Sequence, residues 1–153
     1  MSVGKLCTRT VWIAQPGESV AVAARRMAEH AVGTLVVLDE QRRPVGMLTD
    51  RDIVLRVIAS GKDPAATSIG DVMSHPIVRA DEDTPIEDGI ARMASAATRR
   101  LVVTDADGRL AGLLALDDVL DLLIEEAKSV GRLLERWRTA PTPGGDAPGR
   151  ARP

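Results

Sequence analysis

The sequence predicts an α/β fold made of two copies of one strand–helix–strand–strand–helix unit about a pseudo-twofold axis, with a C-terminal helical extension. Three observations carry this reading. The chain matches itself at a constant offset without a gap: Met27 falls on Met93, Leu35-Val36-Val37 on Leu101-Val102-Val103, Asp39 on Asp105, Gly46 on Gly112 and Asp52 on Asp118. Where identity lapses, apolar residues still meet apolar ones, as with Val11 and Ile77, Val20 and Ile86, Met47 and Leu113, Ile53 and Val119. Within each copy, short β-branched runs alternate with stretches of helical periodicity. Such a unit does not bury its apolar face alone, and two copies packed together create two related crevices.

The first copy spans 5–60. Val11-Trp12-Ile13 reads as a short strand, and Ser19 caps a helix to about His30 with Val20, Ala24, Met27 and Ala31 on one face. Thr34–Leu38 is short and apolar enough for a buried strand, Asp39–Arg43 is the turn, and Val45–Leu48 is the returning strand. A helix then runs from about Asp50 to Ser60, and Gly61 stops it. The linker covers 61–70, where Ser68 and Asp71 have capping-box spacing ahead of Val72-Met73. The second copy spans 71–125. Ile77-Val78 is its first strand, and Thr84-Pro85-Ile86-Glu87 reads as a boxed helix start with Pro at the first helical position. Arg100–Thr104 and Leu110–Leu114 are strands joined through the turn at Asp107-Gly108. The last helix starts near Leu116 and extends over 126–138. The Pro/Gly-rich tail, 139–153, is expected to be disordered.

Composition excludes several classes. Net charge is −2, pI about 5.7 and aromatic content 1%, so neither a basic face nor a base-stacking platform exists, and no nucleic-acid partner is expected. No apolar run reaches the ~18 residues of a membrane helix, and the N-terminal stretch lacks a signal-peptide core. Cys7 is the single cysteine, so no intramolecular disulfide forms. These features fit a cytoplasmic protein. Catalysis has little to stand on. His30 and His75 have no second ligand at metal-site spacing, and no nucleophile elbow, phosphate loop or zinc-helix motif is present. No enzyme activity, catalytic cofactor or metal is expected.

One local pattern carries chemistry: Gly46-Met47-Leu48-Thr49-Asp50-Arg51-Asp52, where a strand ends on a hydroxyl and a carboxylate follows three residues into a helix. Asp52 could accept both hydroxyls of a ribose diol, while Thr49, Arg51 and the helix N-terminus favour a phosphate. The same spacing also makes a plain capping box that needs no ligand. In the second copy the stretch reads Gly112-Leu113-Leu114-Ala115-Leu116-Asp117-Asp118, keeping the Asp and losing the Thr. That leaves one competent and one degraded site, or no site.

The duplicated unit, with G-h-x-T/S-x-x-D at its last helix, resembles the cystathionine-beta-synthase (CBS) domain over roughly residues 5 to 125. Two in tandem resemble a Bateman module, and Thr49–Val54 is similar to stand-alone bacterial members. The resemblance implies a regulatory module that binds an adenosine-containing nucleotide (AMP, ADP, ATP or S-adenosylmethionine) between the repeats and signals to an unknown protein partner. It also implies that the motif of one repeat works with the strand starts of the other. Thr49 and Asp52 would hold the ribose, Ile77 and Val78 the adenine, and Thr98, Arg99 and Arg100 the phosphates. Asp118 would serve a second site with Val11, Val32, Gly33 and Thr34, weakened by Ala115 and by Gly33-Thr34 standing where the other copy has Arg99-Arg100. The alternative is a ligand-free scaffold with vestigial sites.

The last helix adds an assembly expectation. Leu116, Leu120, Leu123, Ala127, Val130, Leu134 and Trp137 recur four and three apart, a heptad-like seam. Its early part is expected to pack on its own module and its later part on a second copy, giving a homodimer.

Overall fold

The computed structural model describes residues 1–139. The tail after Thr139, expected to be disordered, lies outside the described residues. The chain divides into one unit from Met1 to Val119 and a second that begins at Leu120.

The elements of the first unit are α1 (Val3–Leu6), β1 (Ile13–Ala14), α2 (Val20–His30), β2 (Thr34–Leu38), β3 (Pro44–Thr49), α3 (Asp50–Ile53), α4 (Ile69–Val72), β4 (Arg79–Asp81), α5 (Ile86–Ser95), β5 (Arg100–Thr104) and β6 (Leu110–Ala115). The long α6 (Leu116–Thr139) starts in it and continues as the second unit. Two three-stranded sheets result, ordered β1-β2-β3 and β4-β5-β6, each with a parallel first pair and an antiparallel hairpin. The copies correspond element by element, as the self-match requires.

What the repeat pattern did not disclose is an exchange of leading segments. The N-terminal segment packs on the second repeat: Val3 N–H donates to Thr84 O at 2.8 Å, Ile86 N–H to Met1 O at 3.0 Å, and Thr8 and Leu113 exchange two bonds at 3.0 Å. The linker packs on the first repeat in the same way. Ile69 N–H donates to Glu18 O at 2.9 Å, Val20 N–H to Thr67 O at 3.0 Å, and Met47 and Ser74 exchange bonds at 3.0 and 2.8 Å. Side chains follow the backbone. Val3 is fully buried among Ala80, Met93, Leu101 and Leu114, and Ile69 and Val72 among Ala14, Val20, Leu35 and Leu48. Each fully buried aliphatic contributes roughly 1.5–3 kcal/mol. A third cluster joins the two sheets through Val36, Leu38, Met47 and Val102.

Local structure differs from expectation at several points. Ser19 caps α2 by accepting from Val22 N–H, as expected, but the boxes at Thr84/Glu87 and Ser68/Asp71 do not form. The start of α5 instead gives its Ile86 N–H to the Met1 carbonyl, and Asp71 N–H goes to the Ser68 carbonyl at 3.2 Å. Strands β1 and β4 begin two residues later than the hydrophobic runs that announce them. Trp12 and Val78 enter the ladder only as acceptors, from Val36 N–H and Val102 N–H, both at 3.0 Å. The helix from Asp50 is regular only to Ile53. Val54–Ile58 forms one wide turn, with Ala59 N–H bonded to Val54 O at 2.8 Å, and Gly61 (φ +67) ends it. On α6, Val119 is buried, and Leu120 (46%) and Leu123 (58%) are exposed.

Two predictions follow from this packing. A Cβ at Gly112 would lie 2.5 Å from Cys7 Sγ and 2.9 Å from the Thr8 carbonyl oxygen, whereas at Gly46 it would meet only the side chain of Met73. Met73 can swing away and the Thr8 backbone cannot. Gly112→Ala is therefore expected to destabilise by about 1–3 kcal/mol and Gly46→Ala by less, measured by urea unfolding. Equal costs would refute the distinction. Arg26 ties the start of α2 to β1, bonding Glu18 Oε1 at 2.7 Å and the Ile13 carbonyl at 2.8 Å. The Arg26 guanidinium holds the Glu18 carboxyl below its ordinary value of 4.5, against a smaller opposing effect of burial. A depressed folded value gives stability that is present above 4.5 and lost as pH falls through the folded value. Glu18→Gln should lower the thermal midpoint at pH 7, and the gap between the two proteins should shrink steadily as pH falls below 4.5 through the folded value.

Candidate functional site

The hairpin β2–β3 sets the geometry of the first motif. Its register pairs Thr34 with Thr49 and Leu35 with Leu48. Asp50 N–H donates to Gly33 O at 3.0 Å, and a Cβ on Gly33 would meet Asp50 Oδ2 at 2.8 Å, so glycine lets the chain pass the helix start. Parallel pairing of β1 with β2, through Ile13 with Val36, carries Val11 to the same end. Val11, Gly33, Thr34 and Thr49 are thus neighbours within one repeat. The second repeat does likewise: Arg100 pairs with Ala115, and Leu116 N–H donates to Arg99 O at 2.9 Å.

A tight hairpin thus holds each motif beside its own repeat's second strand, with Gly33 and Thr34 next to Thr49, and Arg99 and Arg100 next to Ala115 and Leu116. The exchanged segments bring the other repeat to each motif as well: Ser74, ahead of Ile77 and Val78, reaches Asp52, and Thr8, ahead of Val11, pairs with Leu113. A crevice of about 200 Å³ opens at the first motif's strand starts, lined by Thr10, Val11, Trp12, Val32, Gly33 and Thr34, with Arg100 and Leu113 from the other repeat. Arg100 is the one member of its basic pair to reach it. Arg99 is exposed and lies 3.4 Å from Asp117 Oδ1.

Thr49 and Asp52 form a complete capping box. Asp52 N–H donates to Thr49 Oγ1 at 3.1 Å, and Thr49 N–H to Asp52 Oδ2 at 3.0 Å. The Asp52 side chain is 12% exposed, with the Arg56 guanidinium 3.5 Å from Oδ1 and the Ser74 hydroxyl donating to it at 3.4–3.5 Å. The capping reading is therefore realised. It does not exhaust the carboxylate, which offers about four acceptor positions. Arg51 is exposed. In the second repeat Asp118 Oδ2 accepts only from Ala115 N–H, at 2.8 Å, leaving half a box.

One atom in the crevice is unsatisfied. Thr34 Oγ1 is buried and has no hydrogen-bond partner, a state that costs roughly 1–3 kcal/mol. Trp12 forms the neighbouring wall, held by stacking on His30 with ring centroids 3.5 Å apart and planes 11° from parallel. Sequence reasoning named neither Thr10, Trp12 nor Leu113 for this crevice. The signal for Trp12 was its place beside Val11 as one of only two aromatic residues. His75 is exposed ahead of Pro76, and Cys7 is buried, with desolvation pushing its thiol up. Among the described residues no group of three or more His, Cys, Asp or Glu could hold a metal ion.

Two interlocked α/β repeats, one with a Thr/Asp-boxed helix start and the other with an Asp half-box, define a tandem repeat module. The chain belongs to the CBS domain family, whose model matches it twice, over residues 3–59 and 69–125. It is 33% identical over 122 residues to the uncharacterized protein MK0525 of Methanopyrus kandleri, covering 80% of this chain and 62% of that one. Among solved structures, it matches the cytosolic domain of the Mg2+ channel MgtE in complex with ATP at a TM-score of 0.69 and 29% identity, over 79% of this chain and 48% of that one. The CBS domain pair of protein MJ0100, in complex with 5′-methylthioadenosine and S-adenosyl-L-methionine, matches at a TM-score of 0.71 and 24% identity, over 80% and 99%. At that identity the second likeness concerns the fold alone.

The orphaned hydroxyl makes a prediction that needs no ligand. Thr34→Val keeps the side chain's shape and removes the unsatisfied group, so the free protein should gain about 1 kcal/mol in urea unfolding. A loss of that size would mean that the hydroxyl is satisfied in solution.

Proposed function

We propose that this module binds an adenosine-containing nucleotide in the Thr34 crevice at the first motif, and that the bound state passes a change of shape to a protein partner. The observation that carries the reading is Thr34 Oγ1, a buried hydroxyl without a partner in a crevice that both repeats line. Around it stand the groups such a ligand requires. Val11, Val32 and the Trp12 wall are apolar enough for a base. Thr49 and Asp52 lie one strand away for the ribose, and Arg100 supplies charge for phosphate from the opposite repeat. The MgtE domain, 29% identical, was solved in complex with ATP, an adenosine nucleotide.

The role is regulatory rather than catalytic, because no nucleophile or acid–base pair faces this crevice. Signalling is a population shift: a ligand touching both repeats favours whichever arrangement brings Arg100 and Thr34 to its span. The protein acts as a homodimer in the cytoplasm. No helix among the described residues is long and apolar enough to cross a membrane.

Calorimetric titration with AMP, ADP, ATP and S-adenosylmethionine tests the reading. At least one is expected to bind below about millimolar. Asp52→Ala removes a charged acceptor worth roughly 1.5–3 kcal/mol, so it should weaken binding about tenfold to a hundredfold. Asp118→Ala should weaken it less, since its half-box lacks the threonine. No binding by any of the four would overturn the assignment and favour a ligand-free scaffold, and equal losses in the two variants would overturn the placement at the first motif.

A further inference from the structure

Helix α6 runs for 24 residues, from Leu116 to Thr139. From Leu120 onward it presents an apolar stripe in which Leu120, Leu123, Val130, Leu134 and Trp137 are exposed, Trp137 at 80%. Charge is not spread evenly along it. Asp117, Asp118, Asp121, Glu125 and Glu126 occupy the first half, and Lys128, Arg132, Arg136 and Arg138 the second, with Glu135 the one exception.

We infer that this helix pairs with the same helix of a second copy, and that the two run antiparallel. Parallel pairing would set the acidic half against acidic half and basic against basic, with helix dipoles aligned. Antiparallel pairing sets each acidic half beside a basic half and opposes the dipoles. The seam supports the same direction. Run antiparallel with the small residue Ala127 opposite Val130 near the midpoint, it aligns Leu123 with Leu134 and Leu120 with Trp137, so small residues let the helices close at the centre and large ones meet toward the ends. Gly131 has no atom within 4 Å of its Cβ position and leaves the middle of the helix open to a close neighbour. This inference deepens the proposed homodimer and is independent of nucleotide binding.

The test is disulfide trapping in the full-length protein. Leu120→Cys and Trp137→Cys proteins, carrying different tags, are mixed and oxidised. Cys7 is buried and serves as the background control. Antiparallel pairing predicts a cross-linked heterodimer and no cross-link within either variant alone. In that arrangement equivalent Leu120 positions lie roughly 25 Å apart along the axis, from a rise of about 1.5 Å per residue, against the ~7 Å limit of a disulfide. Self-cross-linking by each variant alone would show parallel pairing and overturn the inference while leaving the dimer. A dimer by light scattering with neither kind of cross-link would place its interface elsewhere and also overturn it. A monomer at tens of micromolar would remove both the inference and the homodimer, with calorimetric nucleotide binding untouched. Two further variants check the forces. Trp137→Ala should raise the dimer dissociation constant about thirtyfold. Arg132→Glu/Arg136→Glu/Arg138→Glu should weaken the dimer most at low salt, and an unchanged dimer there would refute charge pairing as the cause of the orientation.

Discussion

The exchange of leading segments is the constraint on which the rest of the module depends. Each repeat's helix start and sheet edge are completed by backbone from the segment preceding the other repeat, and each core holds a fully buried aliphatic from it, Val3 in one and Ile69 in the other. Neither repeat can keep its core with the other's leading segment withdrawn. The glycines at the crossings follow from the same demand. Gly46 and Gly112 occupy equivalent points under the exchanged chain, where Gly112 leaves room for the Thr8 backbone and Gly46 for the Met73 side chain. The self-match at these positions thus reflects a physical requirement that both copies inherit.

That interlock also positions the crevice. Fastening the two sheets through Val36, Leu38, Met47 and Val102 brings the strand starts of both repeats to one interface, so that Arg100 of the second reaches the strand starts of the first. Thr34 and Arg100 are equivalent positions with different chemistry. A near-symmetric scaffold therefore carries two unequal helix starts. One is threonine-capped, with Arg100 reaching its strand starts from across the interface. The other has half a box, beside Arg99 and Arg100 of its own repeat.

Much of this was legible in the sequence. The repeat offset fixed the fold class and element order, because two copies that agree in apolar positions must agree in which faces they bury. Ser19, Gly61 and the Asp107-Gly108 turn acted locally and were read correctly. The failed box at Thr84/Glu87 was illegible because the Met1 carbonyl, from a segment eighty-odd residues away, caps the start of α5 instead, while at Ser68 the Asp71 N–H turns to the local Ser68 carbonyl. The nearness of each motif to its own repeat's strand starts was legible as well. The short turn between Leu38 and Pro44 already requires a hairpin, and its register puts Thr34 opposite Thr49 without any reference to the second copy.

The capping box and the ligand reading of Thr49 and Asp52 are compatible, because they use different capacities of the same groups. The box consumes one lone-pair direction on each side chain and fixes both rotamers. Ser74 and Arg56 then hold the carboxylate from the exchanged linker side and from the following turn. A carboxylate held this way has already given up its freedom, so accepting two further hydroxyl protons costs little additional ordering. The one polar atom nearby that remains unmatched is Thr34 Oγ1. Ordered acceptors beside an unsatisfied hydroxyl are the arrangement on which the proposed nucleotide site rests, and the linker's hold on Asp52 through Ser74 connects them to the segment exchange that holds the repeats together.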